Sequence, residues 1–104
     1  MAITVRILDS VARITMSDRF DFQVHREFKE AYTPLVENAA VREIEIEMSN
    51  VNYIDSSALG MLMLLNERAK AADQSIVLLN ASSVVAQVLE VANFSRLFTI
   101  KNAR

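Results

Sequence analysis

Cysteine is missing from this 104-residue chain, and glycine, proline and histidine occur once each. Without cysteine there is no disulfide scaffold, no thiol nucleophile and no cysteine-ligated metal. The absence also fits a reducing compartment. With a single glycine, a Gly-rich loop that cradles phosphate cannot be built, and Gly-x-Ser-x-Gly does not occur. A serine nucleophile needs a positioned base, and the one histidine, His25, lies on a distant helical segment. No metal-ligand spacing appears, and His25 reads as an ordinary exposed residue. No apolar run approaches the ~18 residues of a membrane-spanning helix. The stretch Met1 to Arg6 lacks the basic-then-apolar order of a signal peptide. A net charge of −2 gives no footprint for nucleic acid. What remains is a chain without the parts of a hydrolase, kinase or nucleotidase and with no cofactor motif. Its expected partners are proteins or small molecules, with no nucleic acid and no membrane insertion.

What is present is a globular pattern. Hydrophobic residues make up 52% of the chain against 23% charged, which separates it from disordered sequences. The length suits one domain, 1–104, able to bury roughly 65% of its unfolded surface without a staple.

Ile3, Val5 and Ile7 alternate with Thr4 and Arg6, which predicts a strand with one buried face. Asp9-Ser10 reads as a two-residue turn into a second strand, where Ala12, Ile14 and Met16 alternate with Arg13 and Thr15. Asp21 is a plausible cap for a helix carrying Val24, Phe28, Ala31, Leu35 and Val36 on one face. Pro34 falls inside that pattern. It either kinks the helix or sits at the first position of a second short helix capped by Thr33. Ile44, Ile46 and Met48 alternate with Glu43, Glu45 and Glu47, so one face of this strand should meet water. Its pattern stops near Ser49. Ser75 to Leu79 is a near-continuous apolar run, as expected of a strand covered on much of both faces. Asn80 ends it. Ser82 or Ser83 can cap a last helix with Val85, Val88, Leu89 and Ala92 in line, and Asn93 can terminate it in left-handed geometry. Leu97, Phe98 and Ile100 suggest a closing edge strand. The predicted order is β-β-α-β-α-β-α with a possible final strand. The fold class is α/β, a mixed sheet whose N-terminal hairpin is antiparallel and whose β-α-β units are parallel, with helices packed on it.

The stretch from Asn50 to Leu65 organises the chain. A polar turn, Asp55-Ser56-Ser57, precedes an apolar run with helical spacing, and Asp and Ser accept hydrogen bonds from the free amides of a helix's first turn. The helix should run from Ser57 to about Ala72. Leu62, Leu65, Ala69 and Ala72 share a core stripe flanked by Leu59 and Met61. The opposite face carries Gly60, Met63, Leu64, Glu67 and Ala71. Three of these are not the polar residues a surface helix needs. Either another element covers them, or they form an exposed apolar patch beside the serines, which marks an interaction site.

Asp55-Ser56-Ser57-Ala58-Leu59-Gly60, preceded by Met48-Ser49-Asn50-Val51, resembles the signature of STAS domains. More narrowly it resembles the stand-alone anti-sigma factor antagonists of bacterial partner-switching systems. The element order is similar to the STAS fold over nearly the whole chain. Two departures are mild. Asp9-Ser10 and Ser17-Asp18 stand where STAS domains often carry glycine, and Glu47 stands where they often carry aspartate. The resemblance implies a cytoplasmic, non-catalytic protein. It would bind an anti-sigma factor with serine kinase activity, be released when that kinase phosphorylates Ser56, and be reset by a PP2C-type phosphatase. Ser57, adjacent and also a hydroxyl, is the second candidate for the phosphate. The partner surface would be Asp55, Ser56, Ser57, Gly60, Met63, Leu64 and Glu67, with Asp55 holding the turn. The rival reading is a STAS binding subunit of a membrane transporter or other regulatory complex, which needs a docking surface but no phosphorylatable serine. A small enzyme is a third reading, opposed by the missing catalytic parts.

Overall fold

A computed structural model describes residues 3–102. Strands β1 (Ile3–Leu8) and β2 (Val11–Phe20) lead through a 3-10 turn (Phe22–Val24) into α1 (His25–Val36). Then follow β3 (Glu43–Ile54), α2 (Ser56–Ala71), β4 (Ser75–Leu79), α3 (Ser83–Val91), a second 3-10 turn (Phe94–Arg96) and β5 (Thr99–Lys101). The strands form one mixed sheet in the order β1-β2-β3-β4-β5. β1 and β2 are antiparallel, and the remaining neighbours are parallel.

Alternation of side chains along each strand sorts the sheet into two faces. Ala12, Ile14 and Met16 on β2, Ile44, Ile46 and Met48 on β3, and Ile76 and Leu78 on β4 share one face. They form a single buried cluster with Phe28, Tyr32 and Leu35 of α1, Ala58, Leu62, Leu65 and Ala69 of α2, and Val85 and Leu89 of α3. Within it Phe20, Phe28 and Tyr32 make a run of tilted and edge-on rings 5.1 and 5.2 Å apart. Each such fully buried side chain contributes about 1.5–3 kcal/mol over its exposed state.

Turns that other chains build with glycine are built here with acids and amides. Asp9, Asp18, Asp73, Asn80 and Asn93 have φ between 57° and 67°, a region these residues tolerate because their short polar side chains bond locally. Asp9 closes the β1–β2 hairpin and Asn93 ends α3, as expected.

Several expectations are corrected. β3 does not stop near Ser49. It continues to Ile54 because β2 also runs on, and after one register shift before Ser17 the two stay paired from Ser17↔Asn50 to Phe20↔Ile54 across a second. The left-handed Asp18 lies at the second shift. Thr33 does not cap a second helix. Its hydroxyl donates to the Lys29 carbonyl at 2.7 Å, and Pro34 sits inside the last turn of α1, where it removes the amide that would bond the Glu30 carbonyl. α2 begins at Ser56, and Ala72 is an exposed C-cap rather than part of the stripe. Asn66 is buried instead. Gln74 lies in the turn from α2 to β4. It is buried, and its Nε2 donates to the carbonyls of Leu35 at 2.9 Å and Val41 at 3.0 Å, tying the α2–β4 turn to the end of α1.

Two strand faces also differ from expectation. Ile3 is buried, but Val5 and Ile7 remain 44% and 48% exposed, because β1 is the edge strand of the sheet and α1 covers it only in part. On β3, Glu45 is half-buried and pairs with Arg13 at 2.9 Å, while Glu47 is buried rather than solvated. Its carboxylate accepts from the Ser49 amide and hydroxyl at 3.0 and 2.9 Å and from Asn80 Nδ2 at 2.6 Å. Burial raises the Glu47 pKa, but these three donors and the Arg13 charge outweigh it, and the net shift is downward. The covered faces of β4 are as expected: Ile76 to Leu79 are all buried.

Candidate functional site

The site forms where the central strand hands the chain to α2. The C-terminal ends of β2 and β3 lie side by side, with Phe20 opposite Ile54. Asp55 follows in extended geometry, φ −129° and ψ −177°, and its side chain caps α2. Oδ1 of Asp55 accepts from the Ala58 amide at 3.2 Å, while its carbonyl accepts from Ala58 and Leu59 at 3.1 and 3.3 Å. The cap thus belongs to Asp55 and not to a serine. Ser56 becomes the first helical residue and is exposed, and Ser57 behind it is half-buried. A hydroxyl at that place faces solvent at the positive end of the helix dipole, where an added negative charge is favoured.

Gly60, Met63, Leu64 and Glu67 rise from Ser56 along one face of α2, opposite the buried Ala58, Leu62, Leu65 and Ala69. Among the described residues nothing covers them fully: Met63 is 45% and Leu64 49% exposed. The structure therefore decides between the two accounts of this face in favour of an open apolar patch. The lone glycine is informative here. Gly60 has no positive φ, and a Cβ added to it would meet nothing within 4 Å. Neither backbone geometry nor packing within the chain requires glycine at this position. Yet it costs the helix about 0.5–1 kcal/mol relative to alanine.

Two further surface features were not pointed to by the sequence. At the ends of β2 and β3, Arg19 stacks over the Tyr53 ring at 4.4 Å and bonds through Nε to Asp21 Oδ2 at 2.8 Å. Oδ1 of the buried Asp21 accepts from the Gln23 amide at 3.0 Å. Phe22, 62% exposed, stacks on His25 at 4.3 Å between ring centroids, and His25 Nδ1 lies 2.8 Å from the Phe22 carbonyl. On α2, Leu59 shares a shallow apolar groove with Val84, Val88 and Val91 of α3 and with its C-cap Ala92. Ser82, the cap of α3, donates its hydroxyl to the Val51 carbonyl at 3.1 Å and so fixes that helix to the extension of β3. The exposed aromatics Phe22 and Tyr53 were legible as residues but not as surface, since that depends on where β2 ends.

A five-stranded mixed sheet whose central strand turns through a capping aspartate into a serine-led helix defines a class. The chain belongs to the STAS domain family: the family model described as "Mlab, STAS domain" matches residues 3–99. A STAS-domain containing protein of Pseudomonas aeruginosa (strain UCBPP-PA14) is 40% identical over 89 residues, covering 84% of each chain. Among solved structures, a putative anti-sigma factor antagonist from Thermotoga maritima superimposes with a TM-score of 0.86 at 21% identity, covering 97% of this chain and 86% of that one. The anti-sigma factor antagonist SpoIIAA in its unphosphorylated form gives 0.85 at 17% identity, covering 99% and 89%. The phosphorylated form of SpoIIAA from Bacillus gives 0.78 at 16% identity, covering 99% and 92%. At these identities the likeness establishes the fold. No helix among the described residues is long and apolar enough to cross a membrane.

Proposed function

We propose that this chain is a cytoplasmic anti-sigma factor antagonist, one STAS domain over residues 1–104, working in a phosphorylation-controlled partner switch. Unphosphorylated, it binds an anti-sigma factor with serine kinase activity through Asp55, Ser56, Ser57, Gly60, Met63, Leu64 and Glu67. Phosphate placed on Ser56 by that kinase releases it, and a PP2C-type phosphatase resets it. Ser56 is a substrate here, and the domain does no catalysis.

The observation that carries this reading is the exposed Ser56 hydroxyl, relieved of capping by Asp55 and set beside an open apolar patch. A phosphoryl group adds about −1.5 to −2 charge. At the start of α2 it meets free amides and a favourable dipole, so the fold tolerates it. A partner seated on Gly60, Met63 and Leu64 would have to desolvate that dianion next to Asp55, and such a cost lowers affinity. SpoIIAA, an antagonist known in both forms, keeps a fold like this one in each.

The test is phosphopeptide mapping after incubation with the kinase found by native purification, followed by titration of wild type, phosphoprotein and Ser56→Asp against that partner. Phosphate on Ser56, with weakened binding by the modified protein and partial weakening by Ser56→Asp, is expected. Phosphate on Ser57 alone moves the site. Equal affinity for all three proteins defeats the switch and favours a constitutive STAS binding subunit.

A further inference from the structure

We propose that the free edge of β1 pairs with the same edge of a second copy of this chain, antiparallel, about a two-fold axis through Val5. β1 is one end of the sheet. It is six residues long, Ile3–Leu8, with no proline and no bulge in its pairing with β2, and of the devices that normally blunt an edge it carries only one charge, Arg6. The opposite edge, β5, has only three residues and ends on Lys101. Val5 and Ile7 lie on the helix-side face, in register with the buried Ile14 and Ala12. They nevertheless stay 44% and 48% exposed, because among the described residues no strand lies beyond β1 and α1 covers it only in part.

The register of the hairpin says which backbone groups are free. Leu8 and Val11 flank the two-residue turn, so they form a hydrogen-bonded pair, and pairing alternates from there. Thr4, Arg6 and Leu8 therefore bond to β2, while the N–H and C=O groups of Ile3, Val5 and Ile7 point out from the edge. A second β1 placed antiparallel with Val5 opposite Val5 sets Ile3 against Ile7 at both ends. Those three pairs make about six hydrogen bonds between the copies.

Side chains select this register over its neighbours. With Val5 on the axis, the apolar face runs without a break from one copy to the other. On the polar face Arg6, which stands in register with Arg13, is opposite Thr4 of the second copy rather than another cation. Shifting the axis to Arg6 would face two arginines, a destabilising like-charge pair. Arg13 is already neutralised by Glu45 at 2.9 Å. The arrangement is isologous and closes as a dimer. β3, which leads to Ser56, is two strands in from this edge, so each dimer presents two open Ser56 sites.

The absence of cysteine makes the test clean. Hydrogen-bonded antiparallel partners have Cα atoms about 5.5 Å apart, inside the range that a disulfide spans. Val5→Cys should form a disulfide-linked dimer under mild oxidation, while Thr4→Cys and Arg6→Cys, each offset from its own copy, should link far less. Sedimentation equilibrium of the wild type from micromolar to millimolar should approach twice the chain mass and stop. Val5→Pro removes an outward N–H that β2 does not use, so it should keep the circular dichroism of the fold and lose the dimer. A wild type monomeric at every concentration overturns the proposal. So does equal cross-linking at positions 4, 5 and 6, or a mass that climbs without limit, which would mean head-to-tail pairing of β1 with β5.

Discussion

Asp55 caps α2 by accepting the Ala58 amide at 3.2 Å, and in doing so it separates the structural task at this turn from the chemical one. The neighbouring hydroxyl, Ser56, is left at the surface with no part in the cap. The two residues should therefore respond unequally to removal. Asp55→Ala should cost about 0.5–2 kcal/mol, the usual penalty for a lost N-cap. Ser56→Ala should stay within about 0.5 kcal/mol of wild type, as exposed substitutions do. Urea denaturation of both variants decides it. A loss at Ser56 as large as that at Asp55 would place the cap on the serine.

Gly60→Ala separates folding from function. No atom obstructs a Cβ there, so alanine should stabilise the helix by about 0.5–1 kcal/mol. The same methyl group projects into the patch and should weaken partner binding if the partner approaches the backbone closely at this point. Melting temperature should rise while affinity falls. A rise in both would remove Gly60 from the interface.

Leu64→Glu should weaken partner binding tenfold or more with little change in melting temperature. Leu64 is 49% exposed on the face away from the core, and a central apolar contact in an interface contributes 2 kcal/mol or more. Affinity and melting temperature need to be taken on one preparation. A steep drop in melting temperature would mean that this side chain supports the fold instead.

Glu47 gives the fold a predictable acid sensitivity. Its pKa is lowered in the folded state, where hydrogen bonds from Asn80 and Ser49 overcome burial. A depressed carboxylate pKa means that its stabilisation is complete above the ordinary glutamate range and is lost as pH falls through that range to the lower folded value. Stability should thus decline on acidification. Glu47→Gln should be less stable than wild type at neutral pH and show a shallower decline. Denaturant midpoints across an acid-to-neutral series supply the comparison, and identical slopes would show that Glu47 does not titrate differently on folding.

Much of this protein is written locally. Period-two alternation in Ala12 to Met16 and Glu43 to Met48, helical spacing in Leu62 to Ala69, and the polar turn at Asp55 gave the element order, the mixed sheet and the phase of α2. The STAS resemblance could be read from Asp55 to Gly60, because a cap and the helix it starts are contiguous in sequence. Local signals did not reach the extension of β3 to Ile54. That segment is held by parallel pairing with a bulged β2, and its residues Ser49, Asn50 and Asn52 have no strand pattern of their own. Nor did they reach Glu47, whose face looked solvated until Ser49 and Asn80 were brought around it.

Exposure, too, was decided by the tertiary structure alone. The sequence determined that Met63 and Leu64 oppose the core stripe and that Val5 and Ile7 share a strand face. It could not determine whether any other element covers them. Periodicity fixes which way a side chain points from its own helix or strand, because that follows from backbone geometry. What lies in that direction depends on the order of the strands and the placement of the helices, which is set by contacts between residues far apart in the chain. Here α2 keeps one open face, and β1 lies at the sheet's end with only partial cover from α1.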